Sequence, residues 1–320
     1  MSAAEPGRPL VSVVMAARNY ARFLPQAVGS VRAQTMSDWE LLIVDDGSTD
    51  GTPAAIRPFL SDGRVRYFRS DRLGQSRAKN LGVGLSRGRF VAFLDADDAW
   101  QPSKLHKQLA LFEGRPELAV VFCRRTLIDE SGHPLPVPPA PSPPPPPRGR
   151  VLAELLVRNF VCFSSAVVRR DVLSHVGRFD PDWDLAIDYD LWLRVARFYE
   201  FDFVDEELVY YRTGHGNLSR KLLDRVDTAL SIMRRAEERY GVAAVVPGPR
   251  VAEAYASTYR TLGHVLRASE PARAVRCYLR ALRWPAGRGL SLKGLVAALA
   301  AWLSGRRRPP TAAENTAVNR

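Results

Sequence analysis

The chain has 320 residues, of which 46% are hydrophobic and 25% are charged. That length accommodates one large α/β domain and a smaller appendage. Lys and Arg outnumber Asp and Glu by 46 to 34, which gives a net charge of +12. This excess favours anionic partners, such as nucleotide diphosphates, acidic glycans, nucleic acid or an anionic membrane face, and does not choose among them.

Three classes of protein are disfavoured by the sequence. Cys123, Cys162 and Cys277 are an odd, scattered set without metal-site spacing, which argues against a disulfide-stapled secreted domain and favours a reducing cytoplasm. The first ten residues, MSAAEPGRPL, lack the basic-then-apolar pattern of a signal peptide. No apolar run reaches the roughly 18 residues of a transmembrane helix. We therefore expect a cytoplasmic protein.

Short apolar runs alternate with helix-like patterns through the first 125 residues. Strands are predicted at Val11–Met15, Glu40–Val44, Val65–Arg69 and Phe90–Leu94, and helices at Phe23–Ala33, Thr52–Leu60 and Ser76–Ser86. This alternation predicts a Rossmann-like, doubly wound α/β fold with a mostly parallel sheet and right-handed crossovers. Ligands of such sheets bind beyond the carboxyl ends of the strands, where the polar runs of this chain fall.

The second half of the chain begins with a proline-rich stretch, 134–147, which we interpret as an exposed connector; a docking ligand for a partner is the alternative. Further elements are predicted as helices at Val151–Val157 and Leu191–Phe198, strands at Phe163–Val168 and Phe203–Tyr211, and helices at Leu222–Tyr240, Val251–Leu266, Pro271–Leu282 and Ser291–Leu303. The predicted domains are therefore an α/β domain over 1–219 and a helical extension over 220–320.

An acidic cluster, Asp95-Ala96-Asp97-Asp98, follows the fourth predicted strand. Carboxylates this close repel one another unless a cation lies among them, and Mg²⁺ or Mn²⁺ prefers oxygen ligands. Because Mg²⁺ usually takes one or two carboxylates, a single short motif suffices. The alternative is a solvated acidic turn or helix cap, which Asp also favours.

Two further acidic segments contain candidate functional residues. In Asp45-Asp46-Gly47-Ser48-Thr49-Asp50-Gly51 one residue should cap the next helix, while another carboxylate could accept the imide N–H of a pyrimidine. Asp188 lies near the start of an apolar helical pattern, where a carboxylate can act as a general base or can simply favour the helix dipole.

Five segments in order connect these motifs: VSVVMAARNYARFLPQAVGSVRAQT, WELLIVDDGSTDGT, GQSRAKNLGVGLSRGRFVAFLDADD, VGRFDPDW and DYDLWLRVA. Together they resemble the family-2 inverting glycosyltransferases with the GT-A fold, over about the first 215 residues. The resemblance implies that Asp46 reads the uracil ring. Asp95 and Asp97 would form the D-x-D pair, with Asp97 as metal ligand, Asp95 facing the donor ribose and Asp98 supporting either. Asp188 would be the general base.

The resemblance also assigns basic and polar residues to the donor site. Lys79 and Asn80 fall near the donor sugar and diphosphate, Arg77 adds positive charge, and His215 matches a histidine that some members place by the metal. The usual Pro-Thr-Tyr-Asn after the first strand is Ala16-Ala17-Arg18-Asn19 here. Arg18 would then replace the base-stacking aromatic by guanidinium stacking. Ile187 stands where the family has a Glu that contacts the acceptor.

The expected activity is transfer of a sugar from a nucleoside-diphosphate donor, UDP foremost, to a hydroxyl of a glycan or lipid-linked acceptor. The reaction would invert the anomeric centre, require Mn²⁺ or Mg²⁺, serve cell-surface polysaccharide or glycan synthesis and involve no nucleic acid. The alternatives are a non-catalytic GT-A-fold scaffold that binds nucleotide in a glycan assembly complex and a phosphoryl-transfer enzyme. A dinucleotide loop at Gly82–Gly88 is set aside because it ends a helix instead of opening one.

The C-terminal region carries one further expectation. Leu290–Leu303 is apolar and is followed by Arg306-Arg307-Arg308, a combination that suits peripheral contact with the anionic inner face of a membrane. The alternative is a helix packed against the catalytic domain.

Overall fold

The structure, a computed structural model, describes residues 8–136, 144–214 and 222–304. The chain divides into two compact units. The first comprises Met1–Val151, Phe160–Leu191 and Phe198–His215; the second comprises Leu152–Asn159, Trp192–Arg197 and Gly216–Arg320. Among the described residues, no helix combines the length and the apolar character needed to cross a membrane.

The strands are β1 Val11–Ala17, β2 Trp39–Asp46, β3 Val65–Ser70, β4 Phe90–Phe93, β5 Ala99–Trp100, β6 Leu118–Ile128, β7 Val167–Arg169 and β8 Glu200–Arg212. The helices are α1 Leu24–Arg32, α2 Thr52–Ile56, α3 Gln75–Leu85, α4 Lys104–Ala110, α5 Leu152–Val157, α6 Arg170–Val176, α7 Ile187–Ala196, α8 Leu222–Tyr240, α9 Gly248–Leu266, α10 Pro271–Ala281 and α11 Arg288–Leu303.

The eight strands form one mixed sheet in the order β3-β2-β1-β4-β7-β6-β8-β5. Strands β3, β2, β1 and β4 are parallel neighbours, and β6 is parallel to β8. Strand β7 is antiparallel to both β4 and β6, so β4, β6 and β8 run in the same direction. The predicted mostly parallel α/β sheet is confirmed, and the carboxyl ends of six of its strands, β1 to β4, β6 and β8, lie at one edge.

Close packing explains the glycines between residues 82 and 88. Gly82 lies inside α3, where an added Cβ would come within 2.6 Å of Val14 Cγ1 on β1. A Cβ on Gly88 would come within 2.5 Å of the Ser12 backbone nitrogen. These glycines therefore let a helix and a turn approach the central strand, which confirms that they do not form a dinucleotide loop.

Two sequence predictions differ from the structure. The strand predicted at Phe163–Val168 is a 3₁₀ turn at Phe163–Ser165 followed by the short β7. The turn carries Ser164 and Ser165, which are fully buried. Ser164 is hydrogen-bonded to the distant Asp95 and Asp98, and the apolar pattern of the sequence could not predict such contacts. The helix predicted to start at Leu191 begins at Ile187, because Asp188 and Asp190 occupy its first turn, where the helix dipole favours carboxylates.

A buried carboxylate ties the central strands together. Glu40 on β2 is 2% exposed and accepts hydrogen bonds from Ser12 Oγ at 2.7 Å, Arg87 N at 2.8 Å and Arg66 Nη1 at 3.0 Å. Burial acts to raise the pKa of Glu40, but the hydrogen bonds from Ser12, Arg87 and Arg66 outweigh it and lower the pKa below its usual value.

Replacing Glu40 by Gln should lower the free energy of unfolding at neutral pH by about 3 kcal/mol, because the arginines lose a buried partner. Because the folded-state pKa is depressed, this contribution is present above the unfolded pKa and is lost as the pH falls through the folded pKa. Urea unfolding at pH 7 and in acid measures the difference, which should shrink in acid. The exposed Glu113→Gln is the control; equal effects of the two variants would contradict the prediction.

The second unit is helical, and its packing centres on Tyr278 of α10. A Cβ added to Gly263 of α9 would meet the Tyr278 ring at 2.9 Å, and one added to Gly294 of α11 would meet it at 2.1 Å. Trp284 stacks on Tyr255 of α9 with ring centroids 5.4 Å apart. Two glycines thus form the slot for one tyrosine, which fixes α9, α10 and α11 against each other.

Candidate active site

Two loops at the carboxyl edge of the sheet are joined by Asn19. Ala17 at the end of β1 pairs in register with Asp45 of β2, so the following loops start side by side. Asn19 adopts a positive φ of 61°, a conformation that Asn tolerates, and accepts a 2.8 Å hydrogen bond from the backbone N–H of Thr49. Its own N–H donates to Ser48 Oγ at 2.9 Å. The loop that contains Arg18 is therefore held against the loop that follows Asp46.

Asp46 holds the loop that leads into α3. Its carboxylate accepts hydrogen bonds from the backbone N–H groups of Leu73 and Gly74 and from Ser70 Oγ. Gly74 precedes α3 with φ +87°, which is a glycine conformation. A carboxylate offers about four acceptor positions, so these three bonds leave room for one N–H of a ligand. Asp46 is 5% exposed, and its contact with a base stays a prediction.

The acidic loop after β4 is anchored by Lys79 of α3. Lys79 Nζ donates to Asp95 Oδ1 at 3.0 Å and also lies 3.9 Å from the ring centre of Phe163. The Lys79 side chain is 7% exposed, whereas that of Asp95 is 34% exposed. The buried lysine thus holds one oxygen of a carboxylate that water or a ligand can still reach.

Asp98 braces the same loop from the inside. Its Oδ2 accepts a hydrogen bond from Ser164 Oγ at 2.5 Å, and its Oδ1 accepts one from the backbone N–H of Arg212 at 2.8 Å. Arg212, which is 1% exposed, donates from Nε to the carbonyl oxygen of Asp97 at 2.8 Å. Asp98 is 2% exposed and both its oxygens are engaged by the chain, so it supports the loop; a contact of Asp98 with a metal ion stays a prediction.

Repulsion between neighbouring carboxylates helps to raise the pKa values of two residues in the acidic loop. Burial raises the pKa of Asp98 well above its usual value, and the nearby charges of Asp97 and Asp95 raise it further. Burial likewise raises the pKa of Asp95; Lys79 opposes the rise, while Asp97 and Asp188 add to it. The segment before α7 also lies against α3, the helix that holds Asp95, because Ser76 Oγ donates a 2.7 Å hydrogen bond to the carbonyl oxygen of Trp183.

The donor set fits a divalent cation that arrives with a phosphate ligand. Among residues 8–136, 144–214 and 222–304, no group of three or more His, Cys, Asp or Glu side chains is arranged to hold a metal ion. Asp97 and Asp95 stay the predicted ligands, and a cation between them would relieve the repulsion of their charges. Mg²⁺ and Mn²⁺ accept such a set, because they can complete their shells with water and phosphate oxygens.

Asp188 lies in the first turn of α7 and is half-buried. The residue before the helix, Ala186, has φ 52°, a left-handed conformation that costs an L-residue about 1–2 kcal/mol. Its carbonyl accepts the Tyr189 N–H at 3.0 Å and so closes the first turn. Backbone strain of this kind concentrates at functional sites, where the surrounding structure enforces it.

The remaining candidate residues differ in their surroundings. Asn80 forms a pair of hydrogen bonds with the backbone of Phe179, at 2.7 and 2.9 Å, so it positions the segment before α7. Ala16 is half-buried at the end of β1, and Arg18 and Arg77 are exposed. Donor contacts by these four residues stay predictions. His215 lies outside the described residues.

Three residues around the site were not predicted from the sequence: Tyr20, Ser164 and Arg212. Burial raises the pKa of Tyr20, and the charges of Asp97, Asp95 and Asp98 raise it further. The sequence did contain a signal for Tyr20, because it is an aromatic residue two positions after Arg18. Ser164 and Arg212 act through tertiary hydrogen bonds, which no local sequence pattern predicts.

Solved structures share this fold. The mannosyltransferase PcManGT from Pyrobaculum calidifontis, in complex with GDP-Man and Mn²⁺, has a TM-score of 0.61 at 18% identity, covering 93% of this chain and 87% of that one. S. aureus TarS has a TM-score of 0.61 at 15% identity over 93% of this chain and 54% of TarS. Its 1–349 fragment in complex with UDP-GlcNAc has a TM-score of 0.53 at 15% identity, covering 92% of both chains. The predicted GT-A fold is thereby confirmed.

Sequence relatives carry the assignment further. A 213-residue alignment with an uncharacterised glycosyltransferase of Methanocaldococcus jannaschii is 30% identical and covers 65% of this chain and 72% of that protein. One from Nostoc sp. is 35% identical over 214 residues, which are 64% of this chain and 65% of the relative. Escherichia coli chondroitin synthase is 27% identical over 237 residues, covering 73% of this chain and 33% of the synthase. Residues 12–177 match the family described as Glycosyl transferase family 2, and the chain belongs to that family.

Proposed function

We propose that this chain transfers a sugar from a nucleoside-diphosphate donor, UDP foremost, to a hydroxyl of a glycan or lipid-linked acceptor, with inversion at the anomeric carbon. The observation that carries the proposal is that α3 holds both acidic elements: Lys79 Nζ lies 3.0 Å from Asp95 Oδ1, and Ser76 Oγ donates at 2.7 Å to Trp183 O, in the segment before Asp188. One carboxylate can then serve the acceptor while the other serves the donor. We assign residues 1–219 to the transferase domain and 220–320 to a helical extension.

The donor half of the site is built for a nucleotide. Asp46 offers an acceptor position beside the start of α3, and Ala16 and the exposed Arg18 border the same edge of the sheet. Lys79, whose Nζ lies 3.0 Å from Asp95 Oδ1, and Arg77 supply positive charge for a diphosphate. The solved structures that contain UDP-GlcNAc and GDP-Man support this reading of the fold.

The acceptor half of the site centres on Asp188. Its carboxylate takes the proton of the acceptor hydroxyl as that oxygen attacks the anomeric carbon, and the bond to the diphosphate breaks on the opposite face. The electron pair of that bond leaves with the diphosphate, so the configuration inverts. General-base catalysis of this kind contributes typically 10²–10⁴-fold to the rate.

A divalent cation, Mn²⁺ or Mg²⁺, would be held by Asp97 and by the second oxygen of Asp95, and it would offset the negative charge of the departing diphosphate. Asp98 and Arg212 keep this loop in place from below. We place the activity in cell-surface polysaccharide or glycan synthesis in the cytoplasm; the similarity to a chondroitin synthase supports the polymer context.

Thermal unfolding with UDP, GDP, dTDP and CDP, each with and without Mn²⁺, tests the donor site. We expect UDP with Mn²⁺ to stabilise the protein by about 2.7 kcal/mol at a hundred times its dissociation constant. ATP with Mn²⁺ is the control for non-specific binding of phosphate to a basic chain. No shift with any nucleoside diphosphate would contradict the proposal, and stabilisation without sugar transfer would favour the scaffold alternative.

A further inference from the structure

Helix α11 is apolar around its whole circumference. From Ser291 to Leu303 its polar side chains are Ser291, which is buried, and Lys293. One face packs inside the second unit, where Gly294 fits against Tyr278 of α10 and Ala298 is fully buried. A surface helix of a globular protein normally turns a polar face outward, so a helix that is apolar on both faces implies a second apolar environment.

The outward face of α11 consists of large aliphatic side chains. Leu292, Val296 and Leu303 are 51%, 66% and 83% exposed. They follow one another at helical spacings of four and seven residues, so they form one stripe along the helix. Trp302 at the same end is 53% exposed. Aromatic side chains of this amphipathic kind are enriched at the interface of membrane and water.

The segment that forms α10 and α11 is rich in cations. Between Pro271 and Ser304 the sequence holds six cationic residues and no Asp or Glu: Arg273, Arg276, Arg280, Arg283, Arg288 and Lys293. The last five of these are exposed. A recess of about 550 Å³ beside the start of α10 is lined by Glu270, Arg273, Arg276 and Trp302, with Arg273 paired to Asp227 and Glu270. The exposed Arg276 offers its guanidinium group there to an anionic head group.

We propose that α10 and α11 dock the protein on an anionic lipid bilayer, with the aliphatic stripe in the acyl boundary and the cations among the head groups. The 16 residues of α11 span about 24 Å at 1.5 Å per residue, less than the roughly 30 Å hydrocarbon core, so the helix lies on the membrane. A second copy of the chain is a poor occupant, because pairing this face would bring like charges together without acidic partners. This inference does not depend on the proposed transferase activity.

The test is flotation of the full chain with vesicles of phosphatidylcholine alone and of phosphatidylcholine with 30 mol% phosphatidylglycerol. We expect binding to the anionic vesicles that weakens as salt is raised. Replacing both Leu292 and Val296 by Glu should reduce partitioning at least tenfold, and replacing both Arg288 and Lys293 by Gln on the order of tenfold. Leu60→Glu, at an exposed leucine of the first unit, is the matched control.

Circular dichroism and nucleotide binding check that each variant is folded. If the full chain floats with neither type of vesicle, the proposal is overturned. Equal loss with Leu60→Glu would also overturn it, because the effect would then be non-specific. A dimer in sedimentation velocity that the Leu292 and Val296 substitutions dissociate, together with unchanged flotation, would assign the face to a second copy instead.

Discussion

Replacing Asp188 by Asn should lower kcat for sugar transfer by 10²–10⁴-fold and leave donor binding within about twofold of the parent protein. Asn has nearly the same shape as Asp but cannot accept the proton of the acceptor hydroxyl. Because the two side chains have nearly the same size, we expect the fold to hold. Steady-state kinetics with the donor identified by nucleotide binding, together with titration of UDP and Mn²⁺, measures both quantities.

Asp182→Asn is the matched control for this variant, because Asp182 is an exposed carboxylate in the segment that precedes α7. It should leave kcat within twofold of the parent value. If Asp188→Asn instead weakens nucleotide binding strongly while kcat at saturating donor is preserved, Asp188 serves the donor, and the role of general base is wrong.

Replacing Asp97 by Asn should abolish the metal dependence of nucleotide binding and lower kcat/KM by on the order of 10²-fold or more, as loss of a metal ligand removes stabilisation of the leaving diphosphate. The free energy of unfolding without ligand should fall by less than about 1 kcal/mol, because one of three repelling carboxylates is neutralised. Thermal unfolding with UDP, with and without Mn²⁺, separates the two effects.

Asp98→Asn provides the informative contrast, since Asp98 accepts hydrogen bonds from Ser164 and Arg212 that Asn cannot accept at both oxygens. We expect that variant to lose stability even without ligand. The exposed Asp224→Asn on α8 controls for loss of one negative charge. A metal response that survives in Asp97→Asn and vanishes in Asp98→Asn without loss of stability would exchange the two roles.

Much of the sheet was predictable because its strands are buried on both faces. Strands β1 and β2 are continuous apolar runs, and the polar segments that follow them are short, so their positions could be inferred from sequence. Strand β6 and helices α4 and α6 were not predicted. Four of the eleven residues of β6 are not fully buried, and its pairing with β7 and β8 depends on neighbours far along the chain.

The same distinction between local patterns and tertiary contacts applies to the candidate site residues. The sequence alone indicated the GT-A fold, the family and a set of acidic residues. Buried strands and acidic turns are local patterns, and five motifs in a fixed order are specific to a family. The tertiary structure decided what surrounds the aspartates: Asp95 pairs with Lys79, Asp98 is engaged by Ser164 and Arg212, and Asp46 holds the approach to α3. The physical reason is that a carboxylate's role depends on which donors reach its oxygens, and those donors lie up to 114 residues away along the chain.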